Sequence, residues 1–234
     1  MRTYKKIKII LLGLIPVFIY SSCTKLDTPV YSAVSSDSFW KTADQFNAGL
    51  APIYTDLRNL QFWDALELVE GSTDELIVPT RGNDWLDNGN HQRIFLHTWT
   101  TNDGPVNNAW TQIFQGIADC NYIMNQIRSQ PSVPAGVDTS DYISQLRIMR
   151  AYYYLDALDY FGNVPIVSSF KIDPSTVKNN TQKEVFSFIE SELLASIPNA
   201  GSDVDLTTYG RANKWVGFAV LAKLYLNAQV YTGT

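Results

Sequence analysis

The stretch that most constrains the fold covers residues 146–167 and reads LRIMRAYYYLDALDYFGNVPIV. Its apolar side chains recur three or four positions apart, which predicts one buried face of a helix: Leu146, Met149, Tyr153, Ala157 and Phe161. Asp141 is the predicted N-cap and Gly162 the predicted C-cap, and Pro165 prevents further helix. Three consecutive tyrosines (152–154) need neighbours on several sides. We therefore expect this helix to lie inside a stack of helices.

Helical periodicity also appears on both sides of this stretch. It predicts helices over residues 43–60, 107–128, 182–197 and 213–231, with a shorter helical piece over 62–69. Thr181 and Glu184 have the spacing of a capping box. Residues 70–108 lack periodicity and contain many Gly, Pro, Asp, Asn and Trp residues, which indicates a long irregular loop. The expected fold is all-α, with tetratricopeptide-like helical hairpins and one long loop insertion.

The N-terminus has the pattern of a secretion signal. Basic residues precede a short apolar run, and Ser21 and Ser22 stand directly before Cys23. The run is too short to span a membrane but suits a signal peptide. We interpret residues 1–22 as a lipoprotein signal peptide, Cys23 as the site of lipid attachment, and residues 23–38 as a tether. The alternative is an ordinary secretory peptide in which the cysteine is incidental.

Cysteine content and charge exclude several classes of protein. Cys23 and Cys120 are the two cysteines of the chain, so an acylated Cys23 leaves no intramolecular disulfide. Cys120 falls in a helical pattern and is predicted to be a small buried residue. The chain has 18 Lys and Arg against 23 Asp and Glu, and no basic cluster beyond the predicted signal peptide. Nucleic acid is therefore not an expected partner, and membrane attachment should come from the lipid.

The irregular loop contains the residue types that recognise sugars. Flat aromatic rings cover a pyranose face, and amides, carboxylates and guanidinium groups match paired hydroxyls. We therefore predict ligand contacts from Asp74, Arg81, Trp85 and Asn88. The alternative for Trp85, and the favoured interpretation for Trp99, is that these rings anchor the loop onto the helices.

Other chemistry has little support in the sequence. His91 and His97 lack a third ligand at zinc-site spacing, and no phosphate-binding glycine loop or hydrolase motif is present. We expect no metal, no cofactor and no catalytic residues. A surface glycan hydrolase remains an alternative that rests only on the acidic residues of the loop.

Several blocks of the sequence occur in a characteristic order. They are Cys23 with Leu26, Asp27 and Pro29, then WTQIFQGIADCNYIM (110–124), the tyrosine-rich stretch, EVFSFIESELLASIP (184–198) and GRANKWVGFAVLAKLYLNAQVY (210–231). Together they resemble the SusD/RagB family of outer-membrane lipoproteins. Family members are about twice as long, so residues 39–234 are expected to be an N-terminal helical domain.

The resemblance implies a function at the cell surface. Family members are lipid-anchored to the outer face of the outer membrane in Bacteroidetes-type bacteria. They capture oligosaccharides, or peptides in RagB-like members, and deliver them to a SusC-type TonB-dependent transporter. Their helices form the scaffold, and ligands bind on loops away from it. The resemblance does not imply which ligand this chain takes.

Overall fold

A computed structural model of the chain describes residues 39–206 and 208–233. The predicted signal peptide, Cys23 and the tether lie outside these residues. The α-helices in chain order are α1 (Ala43–Gly49), α2 (Ala51–Asn59), α3 (Ala65–Glu70), α4 (Asn90–Phe95), α5 (Gly104–Arg128), α6 (Thr139–Phe161), α7 (Gln182–Ser196), α8 (Lys214–Leu226) and α9 (Ala228–Thr232). A π-helical segment, Leu60–Asp64, joins α2 to α3, and short 3-10 turns are Asp87–Gly89, Pro174–Thr176 and Ile197–Asn199.

Helix α6 is the centre of the helical stack. Of its 23 residues, 14 are buried, and it packs against α5, α7 and α8. The hydroxyl of Tyr153 donates to the carbonyl of Ile53 on α2 at 2.5 Å. The hydroxyl of Tyr154 accepts from the amide of Val167 at 2.6 Å, which holds the extended segment after the helix. The prediction of an all-α stack around this helix is confirmed.

Close approach of α5 to α6 depends on a glycine. A Cβ atom added to Gly116 of α5 would lie 2.3 Å from Cζ of Tyr153. The tyrosine ring fills this space, so the two long helices of the first hairpin pack directly against each other. Helices α7 and α8 form the second hairpin, and both of them also contact α6.

The predicted N-cap of α6 is wrong by three residues. The helix begins at Thr139, and the carboxylate of Asp138 accepts from the amide of Ser140 at 2.9 Å. Asp141 lies in the first turn, where it accepts from Gln145 Nε2 and from the amide of Gly201, both at 2.7 Å. The first turn is polar, so the apolar periodicity starts too late to locate the cap. Gly162, with φ of 72°, is the C-cap as predicted.

Other helix boundaries differ from the predicted ones for local reasons. Helix α5 begins at Gly104 rather than 107, because Pro105 is tolerated in a first turn. The last predicted helix is interrupted at Asn227 between α8 and α9. The loop predicted over 70–108 contains the short helix α4, and its irregular parts are 71–89 and 96–103. The capping box of Thr181 and Glu184 is confirmed.

A buried ionic network joins the two hairpins. Arg147 of α6 donates to Glu192 Oε1 of α7 at 2.7 Å. Arg150, which is 5% exposed, donates through Nε to Glu192 Oε2 at 3.0 Å and through Nη1 to the carbonyl of Ser168 at 3.0 Å. One carboxylate therefore compensates two guanidinium groups between the helices.

The predicted burial of Cys120 is confirmed. Cys120 is fully buried, and burial raises the pKa of its thiol, which makes it an inert core residue. In residues 39–206 and 208–233, none of the helices has both the length and the apolar character needed to span a bilayer.

Candidate functional site

The irregular segment before α5 is held in place by an arginine. Arg93 of α4 donates through Nε to Asp103 at 2.8 Å and through Nη1 to the carbonyl of Asn88 at 2.8 Å. The other oxygen of Asp103 accepts from the amide of Thr100 at 2.7 Å. The hydrogen bonds from Arg93 and Thr100 lower the pKa of Asp103, so this carboxylate stays charged. The segment consequently has a defined conformation without regular structure.

A second contact links the loop to α3. His91 Nδ1 hydrogen-bonds Oε1 of Glu67, and both side chains are buried. Nε2 of His91 lies 3.7 Å from the carboxylate of Asp87. Burial raises the pKa of Glu67, and the contact with His91 opposes that effect. The imidazole is thus fixed between two carboxylates, at the base of the aromatic cluster described next.

Two tryptophans meet above this histidine. The ring centroids of Trp63 and Trp85 are 5.9 Å apart and the planes are tilted by 36°. Each ring also contacts His91, at 6.2 and 5.9 Å. Trp85 has φ of 54°, a left-handed conformation that is costly for a large side chain, and it remains 52% exposed. Trp85 therefore combines a strained backbone conformation with a ring that is half exposed to solvent.

An open groove runs along the π-helical segment, beside this aromatic pair. The amide of Ala65 donates to the carbonyl of Leu60, the five-residue step of a π-helix, which is often found at functional sites. Phe62, 78% exposed, and Trp63 project from it. The groove has a volume of about 640 Å³ and is lined by Arg58, Asn59, Phe62, Trp63, Asp64 and Gln112. Aromatic rings, amides, a carboxylate and a guanidinium group thus converge on one surface.

The four predicted ligand residues have different surroundings in the structure. Trp85 belongs to the aromatic pair. Asp74, Arg81 and Asn88 are exposed, and their side chains form no hydrogen bond within the described residues. The backbone of Arg81 pairs with that of Asp84 in an isolated bridge. Of the four, the structure therefore brings only Trp85 into contact with another aromatic side chain of the candidate site.

Trp99 lies elsewhere in the loop. Its ring is 44% exposed and contacts the ring of His97 at 5.4 Å. Nε2 of His97 hydrogen-bonds the carbonyl of Ser72 at 2.6 Å. Trp99 thus packs on a histidine that joins the two ends of the loop.

Sequence reasoning missed the residues contributed by the π-helical segment. Phe62 and Trp63 fall in the short helical piece predicted over 62–69, and Arg58 falls in the helix predicted over 43–60. Adjacent aromatic residues in a helix point about 100° apart, so Phe62 and Trp63 cannot both face one core. That adjacency is the signal in the sequence for at least one exposed ring.

The two histidines have separate partners. His91 contacts Glu67, and His97 contacts a backbone carbonyl. Over the part of the chain that the structure describes, no three His, Cys, Asp or Glu side chains are grouped so as to hold a metal ion.

The fold and this surface define a class of protein. It is an all-helical scaffold of tetratricopeptide-like hairpins that carries an aromatic groove on a π-helical segment and a structured loop.

Comparison with known proteins assigns the family. A family model described as "Starch-binding associating with outer membrane" matches residues 31–226. The chain belongs to this SusD-like family.

Among curated proteins, a SusD-like protein from Bacteroides ovatus is 25% identical over 97% of this chain. The starch-binding protein SusD from Bacteroides thetaiotaomicron is 26% identical over 64% of the chain. Among solved structures, a laminarin-binding SusD-like protein has a TM-score of 0.68 and 24% identity, and covers 81% of this chain. A structure solved with a xylogluco-oligosaccharide has a TM-score of 0.65 and 23% identity, and covers 77% of this chain.

These relatives are longer than the chain. The matched part is 40% of the Bacteroides ovatus protein and 26% of the starch-binding protein. It is 41% and 34% of the two solved chains. The chain therefore spans less than half the length of these relatives.

Proposed function

We propose that this protein is a glycan-binding lipoprotein of the bacterial outer membrane. In this proposal it captures oligosaccharides at the cell surface without turning them over and passes them to a SusC-type TonB-dependent transporter. Relatives named for binding starch and laminarin support the ligand class. The description of the family supports the location.

The observation that carries the proposal is the pair Trp63 and Trp85. The exposed ring of Trp85 leans against Trp63 at the edge of a groove that also offers amide and carboxylate groups. A sugar needs an aromatic face for its C–H surface and polar groups for its hydroxyls. This arrangement meets both needs. The strain at Trp85 has a physical explanation if the ring is held ready for a ligand.

Replacing Trp85 or Trp63 by Ala is expected to weaken glycan binding roughly tenfold or more, because each change removes an aromatic contact worth at least about 1.4 kcal/mol. Isothermal titration of the full chain against starch-, laminarin- and xyloglucan-derived oligosaccharides measures this. Trp215→Ala is the matched control, since Trp215 on α8 has a similar exposure of 53% but contacts the ring of Phe218 rather than the Trp63–Trp85 pair.

Three outcomes would contradict the proposal. Equal losses in Trp85→Ala and Trp215→Ala would mean that the aromatic pair is not the site. Release of shortened sugars during the titration would indicate a hydrolase. Failure of all glycans to bind while a peptide binds would point to a RagB-like ligand.

The proposed anchor has its own test. Cys23→Ala is expected to abolish lipid attachment and to move the protein from the membrane to the soluble fraction, because the lipid is the proposed source of membrane affinity. Mass spectrometry of the N-terminal peptide and membrane fractionation measure the two effects. A Cys23→Ala chain that stays in the membrane like the wild type would refute this assignment.

A further inference from the structure

One face of α2 and the π-helical segment forms a continuous stripe of solvent-accessible side chains. Its members recur three or four positions apart, the spacing of a single helix face, and they are Ala51, Tyr54, Thr55, Arg58, Asn59, Phe62 and Trp63. At 1.5 Å per residue the stripe is roughly 18 Å long. The buried residues Ile53 and Leu60 lie on the opposite side of the same helices.

Two grooves follow this stripe. One is the aromatic groove of the candidate site. The other has a volume of about 560 Å³ and is lined by Asn47, Leu50, Ala51, Tyr54, Thr55, Arg58, Gly210 and Arg211. Arg58 lines both grooves, so they share a wall and lie end to end along the helix face.

The second groove is positively charged. None of its lining residues is acidic, and both arginines lack an ion-pair partner in the described part of the chain. Arg211 is oriented by hydrogen bonds to Gln145 Oε1 at 3.2 Å and Asn47 Oδ1 at 3.1 Å, and its guanidinium lies over the ring of Tyr142. Arg58 is exposed. In a chain with more acidic than basic residues, two unpaired arginines in one groove are a local exception.

We propose that the two grooves form one binding surface for an anionic glycan. The aromatic end, with Trp63 and Trp85, holds a sugar face, and the arginine end holds a carboxylate or sulfate group of the same oligosaccharide. Guanidinium groups pair with such oxyanions through two parallel N–H donors, whereas a neutral sugar offers them only hydroxyls. This inference rests on the proposed function and adds the charge of the ligand.

The experiment compares charged and neutral glycans on the full chain in detergent. The probes are a neutral laminarin-derived oligosaccharide, its sulfated derivative, and a uronic-acid oligosaccharide of similar length. Isothermal titration at low ionic strength is expected to give at least tenfold tighter binding for one of the anionic probes. Added salt is expected to weaken that binding and to leave binding of the neutral probe unchanged. The better anionic probe identifies the oxyanion as sulfate or carboxylate.

Arg58→Gln is expected to weaken binding of the anionic probe about fivefold more than binding of the neutral probe, because only the anionic probe loses a solvent-exposed charge pair. Arg58→Lys should retain part of the preference. Arg128→Gln is the matched control, since Arg128 is exposed at the end of α5 and lies outside both grooves. It should change neither affinity.

The outcomes separate this inference from the proposed function. If the neutral probe binds and neither anionic probe binds more tightly, the charge inference is wrong and glycan binding stands. Equal effects of Arg58→Gln and Arg128→Gln would also overturn it. If no glycan of either charge binds, both proposals fail.

Discussion

Replacing Glu192 by Gln is expected to lower the free energy of unfolding by about 3 to 5 kcal/mol. The carboxylate receives hydrogen bonds from both Arg147 and Arg150, and Arg150 is buried. In the Gln variant, Arg150 remains a buried cation without a compensating negative charge. This costs far more free energy than the loss of an exposed ion pair. Arg147 is partly exposed and can be solvated by water.

Urea denaturation of the variant and the wild type measures this difference. Glu190→Gln is the matched control, because Glu190 lies two residues away on α7. Among the described residues its side chain accepts only from the hydroxyl of Tyr225, a bond that an amide oxygen preserves. The control is expected to stay within about 0.5 kcal/mol of the wild type. A similar result for Glu192→Gln would show that the network contributes little to stability.

The second large effect concerns Asp156, a buried carboxyl of α6. Its side chain accepts from Gln61 Nε2, at the start of the π-helical segment, at 2.9 Å. It is 2% exposed, and burial raises its pKa from 3.8 to about 7. Asp159 raises the pKa further, while Lys223 and Gln61 oppose the shift. The other ionisable side chains lining the same small cavity are Glu70, Tyr152 and Tyr160.

The sign of the pH effect follows from linkage. Below about pH 4 the carboxyl is protonated in both the folded and the unfolded chain, and the free energy of unfolding carries no penalty from it. Between about pH 4 and 7 the unfolded chain ionises while the folded chain keeps its proton, so stability falls as pH rises. Above about pH 7 the penalty is constant. At roughly 1.4 kcal/mol per pKa unit, a shift of about 3 units makes the loss about 4 kcal/mol.

Asp156→Asn removes this titration and keeps an oxygen that can accept from Gln61. We expect the variant to gain stability over the wild type as pH rises from 4 to 7, and the gain to level off above pH 7. Urea denaturation at several pH values measures it, and Asp74→Asn, at an exposed aspartate, is the control. A constant difference between Asp156→Asn and the wild type at all pH values would refute the assignment.

Much of the scaffold was predictable from the sequence. The pattern predicts a central helix surrounded by other helices, because it contains Tyr153, Tyr154 and apolar neighbours. In the structure, α6 is this central helix. Gly162 and the capping box at Thr181 were identified correctly because capping depends on residues only a few positions apart. The start of α6 was missed, because Asp138 and Asp141 are both suitable caps and their backbone conformations decide between them.

The candidate site was only partly predictable. The polar, aromatic composition of its loop makes Trp85 a candidate ligand residue, but its ring partner Trp63 comes from the helical piece predicted over 62–69. The π-helical turn that exposes Phe62 and Trp63 has no periodic signature in the sequence. The position of the arginine groove also depends on Arg211, which reaches α1 from a loop more than 150 residues later in the chain.

The sequence by itself determined the long helices, several of their ends, the family resemblance and the acidic character of the chain, because these depend on local spacing and composition. Only the tertiary structure decided which aromatic rings meet, that Asp156 and Glu192 are buried, and that Arg58 lies between two grooves. Those properties arise from contacts between residues far apart in the chain. Such contacts set the local dielectric, the exposure and the shape of the surface, and no short-range pattern encodes them.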